Sequence, residues 1–155
     1  MRIEFFQLID RVEAIRDDPP GLVAVAEVPA DATIFQGHFP GYPVMPGVLL
    51  IESMAQAAGF YLLMKNAFSS MPFLFAVREA KLRRFVAPSS KLEIVTRLDH
   101  EGSGYAVSRT SISCAGKTVC SAELAMRYLP FPDPGLVRHL KERAAEIGLP
   151  ELAAP

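Results

Sequence analysis

Cysteine is nearly absent from this 155-residue chain. Cys114 and Cys120 are the only two, too few for a disulfide-stapled scaffold. No charge of one sign dominates: sixteen Lys and Arg stand against seventeen Asp and Glu, a net charge of −1. That balance excludes a general nucleic-acid binder, whose footprint is strongly basic, while leaving room for a local basic patch. Met1-Arg2-Ile3-Glu4 carries a charge of each sign and no long apolar run follows it, so no signal peptide is expected. The longest apolar stretch, Val48 to Met64, is interrupted by Glu52 and Gln56. It is too short and too polar for a membrane span and reads as a buried helix. There is no internal repeat and no low-complexity linker. These absences point to one soluble, cytoplasmic domain with reduced thiols. Half of the residues are hydrophobic and 21% are charged, which suffices for a packed core.

Along the chain, residues 4–9 suggest a short helical turn, and Asp17-Asp18-Pro19-Pro20-Gly21 a tight turn. Leu22 to Val28, rich in Val and Ala, reads as a strand closed by Pro29. Gly37, Pro40, Gly41, Pro43, Pro46 and Gly47 then punctuate a loop. Val48 to Met64 contains no proline and predicts a helix of roughly 25 Å, buried nearly all round and ended by Asn66, Ser69, Ser70 and Pro72. Strands are expected over 73–86, 91–98, Tyr105 to Ser113 and Lys117 to Leu129, with turns at Pro88-Ser90, His100-Gly104 and Gly116. One buried helix beside a curved antiparallel sheet is an α+β pattern. Such a helix needs a sheet wrapped around it, and its remaining side needs a second copy. In the tail, Asp133 can cap a helix with Pro134 at its first position. Leu136, Val137, Leu140, Ala144 and Ile147 recur at helical spacing until Gly148 and Pro150 stop it.

Three histidines exist. His100 sits in a Gly/Ser loop and His139 among basic residues, and both read as solvated. His38 lies between glycines and beside aromatic residues in Phe35-Gln36-Gly37-His38-Phe39-Pro40-Gly41. Taken alone it reads as a loop histidine bonded to the backbone. Glu52 stands in an apolar helix, where burying an ion is costly, and Gln56 shares its face one turn later. The two could simply satisfy each other. Alternatively, the apolar site holds the carboxyl partly protonated and able to donate at neutral pH. Gly47 precedes the helix, where free N–H groups and the positive dipole end would receive an oxyanion. Histidine, acid and helix start together suit proton abstraction beside a carbonyl followed by loss of a β-hydroxyl.

The run Gly37-His38-Phe39-Pro40-Gly41-Tyr42-Pro43-Val44-Met45-Pro46-Gly47-Val48-Leu49-Leu50-Ile51-Glu52, followed by Met54-Ala55-Gln56, resembles the signature of the FabZ-type 3-hydroxyacyl-[acyl-carrier-protein] dehydratases. Leu8 to Val12 and Ala80 to Pro88 resemble that family too, so the likeness covers roughly residues 5–129. It implies a hotdog fold over residues 1–130, with residues 131–155 as a helical extension. It implies dehydration of (3R)-3-hydroxyacyl-acyl-carrier-protein to the trans-2-enoyl product. His38 matches the catalytic histidine and Glu52, fourteen positions later, the catalytic acid. Gly47 matches the glycine that holds the thioester carbonyl, beside Val48, and Gln56 matches the glutamine near the acid. A homodimer with shared sites, itself assembling into hexamers, is also implied, and no cofactor is. Arg78, Lys81, Arg83 and Arg84 become the docking candidate for an acidic acyl carrier protein.

Tyr42, Phe85 and Ser89-Ser90 depart from the family pattern. His100 to Val107 and the long tail resemble paralogues that handle very-long-chain acyl groups of lipid A. Dehydratase-isomerases carry aspartate where this chain has Glu52, and thioesterases of the same fold lack the His38-to-Glu52 spacing. A non-catalytic acyl-binding hotdog protein would need neither residue. No His/Cys cluster has metal-ligand spacing. Cys114 and Cys120 lie symmetrically about Gly116-Lys117 and could face each other across a hairpin, reduced. Phe60, Met64, Phe68, Phe73 and Phe75 are candidate walls of an acyl tunnel.

Overall fold

The computed structural model describes residues 1–150; the last five residues assigned to the C-terminal extension lie outside it. Six antiparallel strands form one sheet: β1 (Arg11–Asp17), β2 (Pro20–Glu27), β3 (Met71–Leu82), β4 (Lys91–Gly102), β5 (Tyr105–Cys114) and β6 (Lys117–Leu129). Their order is β1-β2-β4-β5-β6-β3, which leaves β1 and β3 at the edges. Register shifts interrupt four of the five pairings, in β1–β2, β3–β6, β4–β5 and β5–β6. Each irregularity adds bend and twist, and the sheet curls around one helix.

That helix, α2 (Gly47–Lys65), runs nineteen residues after the four-residue α1 (Ile34–Gly37). Alternate residues of the central strands face it: Leu92, Ile94 and Thr96 from β4, Ala106, Ser108, Thr110 and Ile112 from β5, and Cys120, Ala122 and Leu124 from β6. They meet Leu50, Met54, Ala57, Ala58 and Leu62, all at most 2% exposed. The alanines let the sheet approach closely, and each fully buried Leu, Ile or Met contributes roughly 1.5–3 kcal/mol. The polar pair in this core satisfies itself through a 2.8 Å hydrogen bond between the Thr96 and Thr110 hydroxyls. The apolar length of α2 is therefore spent on the hotdog core. Asn66 ends the helix: its side chain donates to the Ser70 carbonyl at 2.8 Å while Ala67 and Phe68 turn left-handed.

The final helix, α3 (Pro134–Glu146), starts as its sequence predicts, with the Asp133 side chain accepting the Gly135 N–H at 2.6 Å. It docks on the N-terminal segment. Arg143 Nη2 donates to the Ile9 carbonyl at 2.7 Å, and Val12 N–H to the Ile147 carbonyl at 2.6 Å. Ala144, Ile147 and Leu149 are buried there.

The structure departs from the sequence expectation in several places. The strand expected over 91–98 runs on to Gly102, so His100, Glu101 and Gly102 pair with β5 and the loop expected over His100-Gly104 shrinks to a turn at Ser103-Gly104. β1 is an edge strand exposed along most of its length, so it has no apolar alternation to betray it. The strand expected over 73–86 begins at Met71 and leaves the sheet after Leu82. α1 is one short turn beneath the loop, too brief for a periodic signal. The two cysteines do not pair across their hairpin. Ala115-Gly116 forms the turn with both residues at positive φ, which sets Cys114 opposite Lys117, and a register shift sets Cys120 opposite Ile112. Both thiols are free; burial, opposed only in part by Arg83, pushes that of Cys120 up to about 11.

Candidate active site

His38 is held by the loop that follows α1. Its N–H bonds the Ile34 carbonyl at 3.0 Å, and its carbonyl receives the Val44 N–H at 2.9 Å. The Val44 carbonyl in turn lies 3.0 Å from His38 Nδ1. A carbonyl only accepts, so Nδ1 carries the proton and Nε2 is the nitrogen free to take one. Gly41, at φ +77°, closes the turn between Phe39 and Tyr42, and the Phe39 ring stacks on the imidazole at 4.3 Å. Met45 N–H to the Val86 carbonyl at 2.7 Å fastens the loop to the segment beyond β3.

The start of α2 lies beside this histidine. Pro46 is the N-cap and receives the N–H groups of Leu49 and Leu50, while those of Gly47 and Val48 take no backbone acceptor among the described residues. Two such donors at the positive end of a helix can receive an oxyanion. A Cβ on Gly47 would stand 2.2 Å from Leu82 Cδ1, so only glycine fits without moving that side chain. The Val48 side chain points outward and is 71% exposed. His38, Gly47, Leu82, Arg83, Arg84 and Phe85 are among the residues lining one cavity of about 270 Å³.

Glu52 lines a different one. Five helix positions separate it from Gly47, which turns it about 140° around α2. It is half-buried, where a fully buried acid was expected, because it opens onto a largely apolar groove of about 380 Å³ between α2, the start of β3, and α3. Gln56 joins the acid to the fold. Its Nε2 donates to Glu52 Oε1 at 3.1 Å and to the Phe6 carbonyl at 2.8 Å, while its Oε1 accepts the Leu8 N–H at 2.9 Å. Gln56→Leu is expected to destabilise the protein by about 1–2 kcal/mol in denaturant unfolding, because Leu8 N–H and the Phe6 carbonyl lose their partner. It should also lower activity through a freed Glu52.

The basic residues divide. Arg83 and Arg84 stand at the His38 cavity, with Arg83 Nη1 donating to the Ser121 hydroxyl at 2.7 Å. Lys81 lies on β3, opposite Ser121. Arg78, further along the strand, is 3.7 Å from Glu123. Of the aromatic and methionine candidates, Phe60 and Phe73 line the Glu52 groove; Met64 is core, Phe68 packs against the core, and Phe75 lies under Arg127. Sequence reasoning missed the Val44 carbonyl, Leu82, and the reach of Gln56 to the N-terminal segment. Each is a contact between distant or backbone groups that carries no local signal. Among the described residues no three His, Cys, Asp or Glu side chains converge as a metal centre requires.

The chain is similar to known proteins along most of its length. A FabA-like domain matches residues 2–123. The 3-hydroxyacyl-[acyl-carrier-protein] dehydratase FabZ of Shewanella woodyi is 41% identical over 124 residues, covering 77% of this chain and 80% of the relative. The protein of the same name from Levilactobacillus brevis is 37% identical over 119 residues, covering 75% and 78%. Among solved structures, the fold is that of a dehydratase heterocomplex from Xenorhabdus doucetiae (TM-score 0.62, 20% identity, 88% of this chain and 90% of that one). It is shared by a hypothetical thioesterase with coenzyme A from Streptococcus pneumoniae (TM-score 0.60, 16% identity, 79% and 90%). With a family domain matched over residues 2–123 and a relative 41% identical over most of both chains, the chain belongs to the FabZ-type 3-hydroxyacyl-[acyl-carrier-protein] dehydratase family.

Proposed function

We propose that the protein works as a pair of copies, each site combining His38 of one chain with Glu52 of the other. The enzyme is a hydro-lyase of fatty acid synthesis that removes water from a 3-hydroxyacyl group on an acyl carrier protein. The observation that carries the paired reading is the separation of the two residues within one chain. His38 lines a cavity beside Leu82 and Phe85, past the end of β3, whereas the Glu52 groove lies beside Met71 to Leu74, at its beginning. β3 is an edge strand, and an antiparallel pairing with its own copy sets the beginning of one β3 beside the end of the other. Both half-sites then meet twice. The surface suits such a pairing. Phe73, Phe75, Val77 and Leu82 along β3, with Tyr42 and Phe85 (77% exposed), are left in water by a single chain. Exposed apolar residues on an open strand edge are otherwise an aggregation hazard.

In this site the Gly47 and Val48 N–H groups polarise the thioester carbonyl. His38 Nε2 removes a proton from C2. The C2–H electrons form the C2=C3 double bond, the C3–O bond breaks, and Glu52 protonates the departing hydroxyl as water. Arg83 and Arg84 at the cavity mouth, extended by Lys81 and Arg78, form the face for the acidic carrier protein. That attraction weakens with salt. A cytoplasmic setting fits this chemistry. Very-long-chain acyl groups, such as those of lipid A, are the proposed substrates within the class. The purified protein is expected to form trans-2-enoyl thioester from (3R)-3-hydroxyacyl carrier protein, followed by ultraviolet absorbance and mass spectrometry. No product at any chain length overturns the dehydratase reading, and a sharp fall beyond medium chains overturns the long-chain part of it.

A further inference from the structure

The geometry points to the C-terminal helix as the outer wall of the acyl groove, with Leu136 and Leu140 setting the chain length that the groove accepts. This rests on the reading of Glu52 as the group at the substrate's C3 hydroxyl. From C4 onward the substrate is alkyl, and the groove is polar only at its Glu52–Gln56 end. Beyond that end Gly59, Phe60 and Leu63 continue along the same helix, about 16 Å from Glu52 to Leu63 at 1.5 Å per residue. Leu136 and Leu140, one turn apart on α3, form the facing side. Gly59 leaves the floor open: a Cβ there meets nothing within 4 Å. An apolar, open-floored channel that begins at the acid fits a saturated alkyl chain.

The matched family domain stops at residue 123, so this wall is built from sequence outside it. The wall is fixed in place. The Arg143 and Ile147 hydrogen bonds hold α3 to the N-terminal segment, and that segment, through Gln56, also holds Glu52. One clamp therefore positions the acid and the far wall together. The outer face of α3, with Arg138 and His139 exposed, takes no part.

Chain-length profiles test this. Catalytic efficiency on 3-hydroxyacyl carrier proteins of graded length is measured for the parent, Gly59→Leu, Leu140→Phe and Leu140→Ala, with Arg138→Ala as the control on the outer face. Binding of saturated fatty acids of the same lengths, read by displacement of a fluorescent fatty-acid probe, gives a second profile that needs no turnover. Gly59→Leu and Leu140→Phe should lower the ratio of long-chain to short-chain efficiency at least tenfold, and Leu140→Ala should move the optimum to longer chains. Arg138→Ala should keep the parental ratio. Gly59→Leu replaces a helix-interior glycine and touches none of the α3 clamp, so it separates groove filling from misfolding. Unchanged profiles in Gly59→Leu and both Leu140 variants overturn the inference. A parent with no turnover, whose fatty-acid binding profile still shifts in the variants, overturns the dehydratase reading and leaves this one standing.

Discussion

His38→Ala and Glu52→Gln should each lose about 10²–10⁴-fold in turnover, the range removed with a general acid or base. The geometry makes Glu52→Gln the sharper of the two. Oε1 of the new side chain can still accept the 3.1 Å hydrogen bond from Gln56, so the group stays where it was and loses only the proton it gives. His38→Ala removes the base and leaves the Val44 carbonyl to water. Both residues are half-buried and outside the hydrophobic core, so the fold should survive. Equal melting temperatures would verify that the loss belongs to chemistry. Turnover near the parental rate in either variant would overturn the acid–base mechanism, and in both it would favour an acyl-binding protein without catalysis.

Much of this site is written locally in the chain. The loop punctuation, the helix that follows and the fourteen positions from His38 to Glu52 all fall within one short stretch. The family signature therefore carries histidine, glycine and acid together. The buried strands were equally legible, because Leu92, Ile94 and Thr96, or Ala106 to Ile112, alternate inward. What escaped is non-local. β1 pairs on one side only and is mostly solvated, so nothing forces an apolar pattern on it. Gln56 looked like a neighbour of the acid, yet two of its three hydrogen bonds reach the backbone about fifty residues earlier. The apolar spacing of α3 announced a packed face without naming what it faces. Glu52 looked buried because its helix is apolar all round; in the single chain it opens onto a groove of its own, apart from His38.

That last point leads to the second large effect. The two inactive variants, unfolded together and refolded as a mixture, should recover activity that neither has alone. If a site takes His38 from one chain and Glu52 from the other, a mixed pair holds one site with both defects and one with neither. Random association makes about half of the pairs mixed, so about a quarter of all sites are intact. Against losses of about 10²–10⁴-fold in each variant, the recovery is about 25-fold or more. If both residues acted within one chain, every site in the mixture would carry one defect and nothing would return. Distinct affinity tags on the two variants, purified in sequence, isolate the mixed pair and show that it formed. Mixed pairs that remain inactive would place His38 and Glu52 in the same half of the site, contrary to the two separate cavities that hold them here.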